Sequence, residues 1–463
     1  MKRRTFVRMT GETALSLALG TSLQGLGPAA LAAAPAPSRP SGNGPSATGS
    51  WADLQALRTD GARLNAALQT LGRIGALPGG GISRPAYSDA DREARAWTLE
   101  HMAAAGLETS IDAAGNLVGR RSGSDGALAP LMIGSHIDSV PQGGIYDGPV
   151  GSLAAIEVAL RLQEEGVALR HPLEVYVFAN EEAGKTGSRA LAGEINDAEL
   201  ALPSATAATL REGIASIGGD PDRLSDVLRA PGSAAGYLEL HIEQGGVLEQ
   251  QGIPIGVVEG IVGIRRWNVR VEGMANHAGT TPMPVRRDAL VAAARWIDAV
   301  HRIALEMPGR HVATVGRIEA IPGAPNVIPG EVRLSLEIRD LDMARIDELF
   351  ERFRAAGETI GEGSGTQFSW QPFYLSRSAL MTDGLENAVE AAAASLGLTS
   401  LRMPSGAGHD AQSIARFAPA GMIFIPSRDG ISHSPDEYSS PEHIAQGADV
   451  LLQSLLTVDR TSP

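Results

Sequence analysis

The sequence predicts an α/β protein: a central, mostly parallel sheet flanked by helices, with a smaller α+β unit inserted into its chain. Three observations carry this reading. The chain has 463 residues, more than a single hydrophobic core usually organises, so two domains are expected. Short apolar runs alternate with amphipathic stretches in strand–helix–strand order, the pattern of a parallel sheet covered by helices. Between residues 261 and 374 the rhythm changes to β-α-β-β-α-β, the ferredoxin-like order.

At the N-terminus, Arg3-Arg4 precede Thr5-Phe6-Val7, a weakly apolar stretch over 14–27 and an Ala-rich segment over 29–34. This resembles a twin-arginine export signal over residues 1–34, which implies an exported, periplasmic or extracellular protein. Residues 35–50 are rich in Pro, Ser and Gly, show no apolar period and read as a linker. The main domain is expected over 51–260 and 375–463, with the insert at 261–374 between its two parts. Residues 89–105 read as an amphipathic helix stopped by Gly106. Apolar runs at 131–133 and 173–178 are buried-type strands, with a helix over 151–162 between them. Strands over 237–242, 253–259 and 421–425 extend the sheet. In the insert, strands at 266–271, 311–318, 331–339 and 366–370 alternate with helices over 287–305 and 344–355. Helices over 384–396 and 443–456 complete the chain, and no internal repeat is visible.

Composition narrows the function. The formal charge of −14 excludes a phosphate-backbone partner, which needs a basic stripe. Beyond the weakly apolar N-terminus, no apolar run reaches the roughly 18–20 residues that span a bilayer. Neither nucleic acid binding nor stable membrane insertion is expected. The chain has no cysteine, so any metal must be held by His and carboxylate. Hydrophobic residues at 43% suffice for burial, while 4% aromatics and 55 Gly point to Ala/Gly-rich helices and tight turns.

Five segments concentrate the chemistry, four of them just past apolar strands. Gly134-Ser135-His136-Ile137-Asp138 sets an imidazole and a carboxylate two residues apart. On an extended chain both face one side, which suits a metal ligand and the carboxylate that orients it. Gly143-Gly144-Ile145-Tyr146-Asp147-Gly148 surrounds one carboxylate with glycine, so the backbone can approach an ion. Asn180-Glu181-Glu182 puts two carboxylates at a strand end, where one can bind metal while the other handles protons. Glu239-Leu240-His241-Ile242-Glu243 and Ser432-His433-Ser434-Pro435-Asp436-Glu437 add imidazoles and acids. Singly, these segments can be read as a surface polar pair, an Asp-Gly turn or a solvated acidic turn. Together they supply the His-carboxylate sets that two divalent ions sharing one bridging Asp require.

These segments resemble the M20 metallohydrolases, in particular the branch of N-carbamoyl-L-amino acid hydrolases, bacterial β-ureidopropionases and allantoate amidohydrolases. The motifs are GSHIDSVPQGGIYDGPVG, FANEE, LELHIEQG, GMANHAGTTPMPVRRDAL, PNVIPG, SGAGHDAQ and SHSPDE, in that order from about residue 70 onward. The resemblance implies a metal-binding α/β domain with an inserted lid that also forms a homodimer. It implies His136, Asp147, Glu182, His241 and His433 as ligands of two divalent ions, with Asp147 bridging. Zinc comes first among metals, with manganese, cobalt or nickel as alternatives. Glu181 would be the general base, Asp138 would orient His136, and His277 would polarise the substrate from the neighbouring subunit. Gln244, Asn326 and Arg339 match substrate-contacting positions, Arg339 for a free carboxylate. The alternation over 331–339 supports that last role, because Val332, Leu334, Leu336 and Ile338 take the apolar face and leave Arg339 on the polar one.

The activity implied is hydrolysis of a non-peptide C–N bond of an N-carbamoyl-L-amino acid or related ureido acid, by metal-activated water. One departure bears on the substrate: Ala183-Gly184-Lys185-Thr186-Gly187-Ser188-Arg189 stands where that branch tends to carry Gly-x-Arg-Phe. An exported dipeptidase or N-acyl-amino acid amidase is the alternative enzyme. An exported binding protein without catalysis is the alternative of another class, against which Glu181 and the five intact ligand positions weigh.

Overall fold

The computed structural model describes residues 50–204, 206 and 209–462. The export signal read at 1–34 and the linker up to residue 49 lie outside these. Strands β1 (Glu108–Ile111), β2 (Leu117–Arg121), β3 (Leu131–His136), β4 (Leu173–Phe178), β5 (Gly236–Ile242) and β6 (Ile255–Ile261) come first. Next come β7 (Gly263–Glu272), β8 (Asn276–His277), β9 (Val312–Ile321), β10 (Val327–Ile328), β11 (Glu331–Asp340) and β12 (Gln367–Ser376). The chain ends through β13 (Ala379–Leu380), β14 (Ser400–Ser405) and β15 (Ala420–Ile425).

Nine strands form the main sheet, in the order β1-β2-β4-β3-β5-β15-β6-β13 with β14 also on β6. At its centre β4, β3, β5 and β15 run parallel. Towards the edges β1, β2, β6 and β13 pair antiparallel along this order, while β14 pairs parallel with β6. The fold class read from the sequence therefore holds, and the central parallel strands are covered on both faces. Alternate residues divide between two cores. Leu131, Ile133, Val175, Val177, Leu238 and Leu240 face one side, whereas Met132, Tyr176, Phe178 and Tyr237 face the other. This two-sided burial explains why these strands read as continuous apolar runs rather than alternating ones.

The helix Pro149–Glu164 covers the first face, burying Val150 through Ala159. Its start is set by Gly148 at φ +79 followed by proline at the first helical position. The helix Pro441–Thr461 packs beside it through Ile444, Ala448, Leu451, Leu452 and Leu455, with the Ser440 side chain accepting from the His443 N–H at its start. Among the described residues no helix is long and apolar enough to cross a membrane.

The second sheet is wholly antiparallel, in the order β12-β7-β11-β9, and carries the helices Ala289–Glu306 and Met343–Ser364. With its β-α-β-β-α-β sequence this is the ferredoxin-like arrangement. Trp267, Trp296, Leu334, Leu336, Leu349 and Phe353 form its core, and Trp296 Nε1 donates to the Phe353 carbonyl at 2.8 Å. On β11, Val332, Leu334, Leu336 and Ile338 are buried while Arg339 is only half-buried. The helix expected over 344–355 runs nine residues further, to Ser364. It passes through Gly357, where a Cβ would lie 2.8 Å from Trp370 Cζ2. Glycine there permits close packing on the sheet rather than ending the helix.

Candidate metal centre

All four central parallel strands deliver polar residues at their carboxyl ends, the side where open α/β sheets place their sites. β3 ends on His136, β4 leads into Asn180-Glu181-Glu182, β5 carries His241, and the segment after β15 carries His433. Asp147 arrives on the glycine-rich turn before the helix Pro149–Glu164. Two trios result: His136, Asp147 and His241, and Asp147, Glu182 and His433. Asp147 belongs to both.

The distances suit ions between the side chains better than bonds among them. His241 Nε2 lies 3.2 Å and His136 Nε2 3.6 Å from Asp147 Oδ1. His433 Nε2 lies 3.3 Å from Asp147 Oδ2 and 3.4 Å from Glu182 Oε2. Ligand atoms each about 2.1 Å from a tetrahedral ion sit about 3.4 Å apart. His241 Nδ1 is 2.9 Å from the Ile242 carbonyl oxygen, which can accept only from an N–H, so Nε2 is the nitrogen that gives up its proton and offers a lone pair when a metal binds. That Nε2 is buried and, despite its nearness to Asp147, has no hydrogen-bond partner; neither has Glu182 Oε1. Buried imidazole nitrogen and carboxylate oxygen without hydrogen-bond partners suit a donor set for a cation.

The surroundings fix these side chains. His136 Nδ1 lies 3.1 Å from the Asp138 carbonyl oxygen and 3.5 Å from its carboxylate. That carboxylate also accepts from the N–H groups of Glu181 and Glu182, each at 3.2 Å, tying the imidazole to the acidic pair. Burial disfavours the Asp147 carboxylate, yet the imidazoles of His136, His241 and His433 hold it well below the usual carboxylate range. Desolvation pushes the carboxyls of Glu181 and Glu182 up, to about 7 and about 8, and the nearby Asp147 charge adds to both. Asp147, with Glu182 adding, raises the His433 imidazole to about 9.

Glu181 is buried beside the trios without belonging to either, its carboxylate 3.8 Å from His136 Nε2. It shares a cavity of about 470 Å³ with Asp147, Glu182, His241, His433, Gln244 and Arg339. Gln244 does not stand open: its amide donates to Asp147 Oδ2 at 2.6 Å. Arg339 donates to Glu337 and to the Gly406 carbonyl, each at 2.7 Å. His277 and Asn326 are not brought to this cavity. They meet instead beside the second sheet, where His277 pairs with Val327 across β8 and β10 and the Ala278 N–H donates to the Asn326 carbonyl. His277 is exposed.

Several supporting residues were not singled out by the sequence reading. Ser432 Oγ donates to Asp147 Oδ2 at 2.8 Å and lies 2.9 Å from Glu437, and Glu437 accepts from the N–H groups of Tyr146 and Asp147. Both stand in SHSPDE, but nothing in their spacing says which Asp they serve. Glu239 is fully buried and joins Ser135 Oγ to the Ala411 N–H. Glu243 caps the N–H groups of Val247 and Leu248. His409, from SGAGHDAQ, packs edge-on against His241 with ring centroids 4.4 Å apart.

The profile of Peptidase family M20/M25/M40 matches residues 132–457. The chain belongs to this family. An N-carbamoyl-L-amino acid amidohydrolase of Geobacillus stearothermophilus is 40% identical over 400 residues, covering 85% of this chain and 98% of its own length. One from Paenarthrobacter aurescens is 37% identical over 404 residues, covering 86% and 98%. The solved structure of a hydantoinase/carbamoylase-family amidase from Burkholderia multivorans is 34% identical, with a TM-score of 0.81 over 88% of this chain and all of that one. This M20 chain is thus a metal-dependent hydrolase acting on carbon–nitrogen bonds. The relatives also correct one expectation. They are cytoplasmic enzymes, and the periplasmic or extracellular location inferred from the N-terminus is withdrawn.

Two outcomes follow from this geometry. A Cβ on Gly148 would lie 2.3–2.5 Å from the His136 ring at φ +79, so Gly148→Ala should lower metal content and cost about 1–3 kcal/mol. Gly166→Ala, at φ +66 with nothing near its Cβ, bears only the backbone cost and should keep its metal; equal metal content in both variants would contradict the packing argument. Metal binding requires deprotonated ligands. With Glu182 titrating at about 8 and His433 at about 9 in the metal-free protein, uptake at neutral pH should release protons, and affinity should fall as pH drops through that range. Calorimetric titration in buffers of different ionisation enthalpy measures the release; pH-independent binding would contradict it.

Proposed function

We propose that the chain is an N-carbamoyl-L-amino acid amidohydrolase that cleaves the bond between the carbamoyl carbon and the amino-acid nitrogen, yielding the amino acid, carbon dioxide and ammonia. The observation that carries this reading is two His-carboxylate trios joined at Asp147, four of whose five residues line one cavity with a buried carboxylate outside both trios and an arginine. The names of the curated relatives agree with it.

His136 and His241 with Asp147 would hold one divalent ion, and Glu182 and His433 with the same Asp147 the other; the His-carboxylate donors favour zinc, with manganese, cobalt or nickel as alternatives. When bound, such ions supply Lewis-acid chemistry, lowering the pKa of water and polarising the carbonyl. Glu181 is the carboxylate left to take a proton from the attacking water and return it to the leaving nitrogen. Asp138 keeps Glu181 and Glu182 in register through their backbone N–H groups. Arg339 has N–H groups beyond those given to Glu337 and Gly406, and these would take the substrate carboxylate.

His277 suits an oxyanion donor. Its Nδ1 accepts from the N–H groups of Gly279 and Thr280 at 2.9 and 3.2 Å, which puts the proton on Nε2. Because it stands exposed and away from its own cavity, it would serve the site of a second copy. A homodimer through the lid is supported by β9, an edge strand carrying exposed Val312 and Ile318, and by exposed Leu290 and Val291 on the adjoining lid helix.

The experiment is turnover on a panel of N-carbamoyl and N-acyl amino acids, with Glu181→Gln beside the wild type. The variant should retain its metal by elemental analysis and lose about 10²–10⁴-fold in kcat. Near-normal turnover would remove Glu181 as the base. Wild-type hydrolysis of N-acyl but not N-carbamoyl amino acids would favour the amidase alternative.

A further inference from the structure

The loop after the acidic pair is closed into a tight turn. The Glu181 carbonyl accepts from the N–H groups of Gly184 and Lys185 at 3.0 and 2.8 Å, and the Thr186 N–H returns to the Asn180 carbonyl at 3.1 Å. Lys185 sits at φ 54, ψ 38 at the head of Thr186–Leu191, a left-handed conformation that a non-glycine residue adopts at a cost. Its half-buried side chain stands on the wall shared by the metal cavity and a neighbouring cavity of about 500 Å³. Room for the ammonium comes from Gly408, where a Cβ would lie 2.9 Å from Lys185 Nζ.

The partner of this ammonium is neutral. Nζ donates to Gln412 Oε1, and Gln412 is held in place by its own amide, which donates to the Arg377 carbonyl at 2.7 Å and Ser376 Oγ at 3.2 Å. The neighbouring cavity is lined by Lys185, Arg189, Arg377 and Arg416 against Glu194 and Glu199. Arg189 pairs with Glu199, and Arg416 with Glu194. Among the described residues, neither Lys185 nor Arg377 forms an ion pair. In a chain of net charge −14, this leaves two cations without an ion-pair partner beside the metal cavity, where the charge of Lys185 acts on the Glu181 carboxyl only at longer range. Arg339 lines a different wall, which the metal cavity shares with the pocket around Met403 and Gly406. A half-buried ammonium with only an amide partner is stabilised by an arriving carboxylate through a charge-assisted bond.

We propose that Lys185 is a specificity-determining residue that receives a second carboxylate of the substrate, so that the enzyme prefers N-carbamoyl derivatives of acidic amino acids. The α-carboxylate goes to Arg339 and the side-chain carboxylate to Lys185, with the ureido group between them at the trios. This rests on the N-carbamoyl amino acid reading above.

The test compares kcat/KM for N-carbamoyl-L-glutamate and N-carbamoyl-L-aspartate with that for their neutral isosteres, N-carbamoyl-L-glutamine and N-carbamoyl-L-asparagine. The wild type should favour the acids by at least about tenfold. Lys185→Gln should reduce that acid-to-amide ratio by roughly ten- to a hundredfold, mainly through KM, and Lys185→Arg should keep most of it. Gln412→Glu, which gives the ammonium a carboxylate of its own, should also reduce the ratio while leaving Lys185 in place. A wild type that favours the amides, or a ratio unchanged in both Lys185→Gln and Gln412→Glu, overturns the proposal. If the wild type hydrolyses none of the four substrates but does hydrolyse N-acyl amino acids, the N-carbamoyl reading itself has failed and this inference falls with it.

Discussion

The arrangement turns on one buried carboxylate. Asp147 faces three imidazoles within 3.2–3.6 Å, and its second oxygen also accepts from Gln244 and Ser432. A lone ionised carboxylate in such a place would cost several kcal/mol. It stays ionised because each oxygen faces its own set of partners, His136 and His241 on one side and His433 on the other. The same division makes it the natural bridge between two ions. The acidic pair shows the converse. Glu181 and Glu182 each have one imidazole nearby, His136 at 3.8 Å and His433 at 3.4 Å, but desolvation outweighs it and drives both towards protonation near neutrality. Two divalent cations would relieve this conflict.

The fold exists to bring those groups to one end. Parallel strands all present their carboxyl ends on the same side, so β3, β4, β5 and β15 contribute without any long loop having to fold back. The strands must be adjacent for this to work, and two-sided burial makes them so: Ile133, Val175 and Leu238 share one core, while Met132, Tyr176 and Tyr237 share the other. The turn that lifts Asp147 between them needs a positive φ and no side chain at Gly148, because the His136 ring fills the space a Cβ would take. Backbone freedom, close packing and the placing of a candidate metal ligand therefore meet at one residue.

Much of this was legible in the sequence, for physical reasons. Strands buried on both faces appear as unbroken apolar runs, and ligands at strand ends appear as polar clusters directly after those runs. The His-x-Asp and Glu-Glu spacings then specify which atoms can share a face. What stayed hidden depends on contacts distant in sequence. That Glu437 serves the turn at Tyr146 and Asp147, or that Glu239 ties Ser135 to the N–H of Ala411, has no local signature. Neither does the continuation of the helix Met343–Ser364 through Gly357, since glycine usually weakens helices and only the approach of Trp370 explains it. Gln244 matched a substrate-contacting position, yet its amide is engaged by Asp147, a competition that only the folded geometry exposes.

The central claim is that two metal sites share Asp147, and metal stoichiometry in Asp147→Asn tests it most directly. Asparagine keeps the shape and removes the charge on which both trios depend. The account predicts two divalent ions per wild-type chain by elemental analysis and the joint loss of both in the variant. An Asp147→Asn protein that keeps one ion at wild-type affinity would show that the trios are independent sites, and would contradict the account.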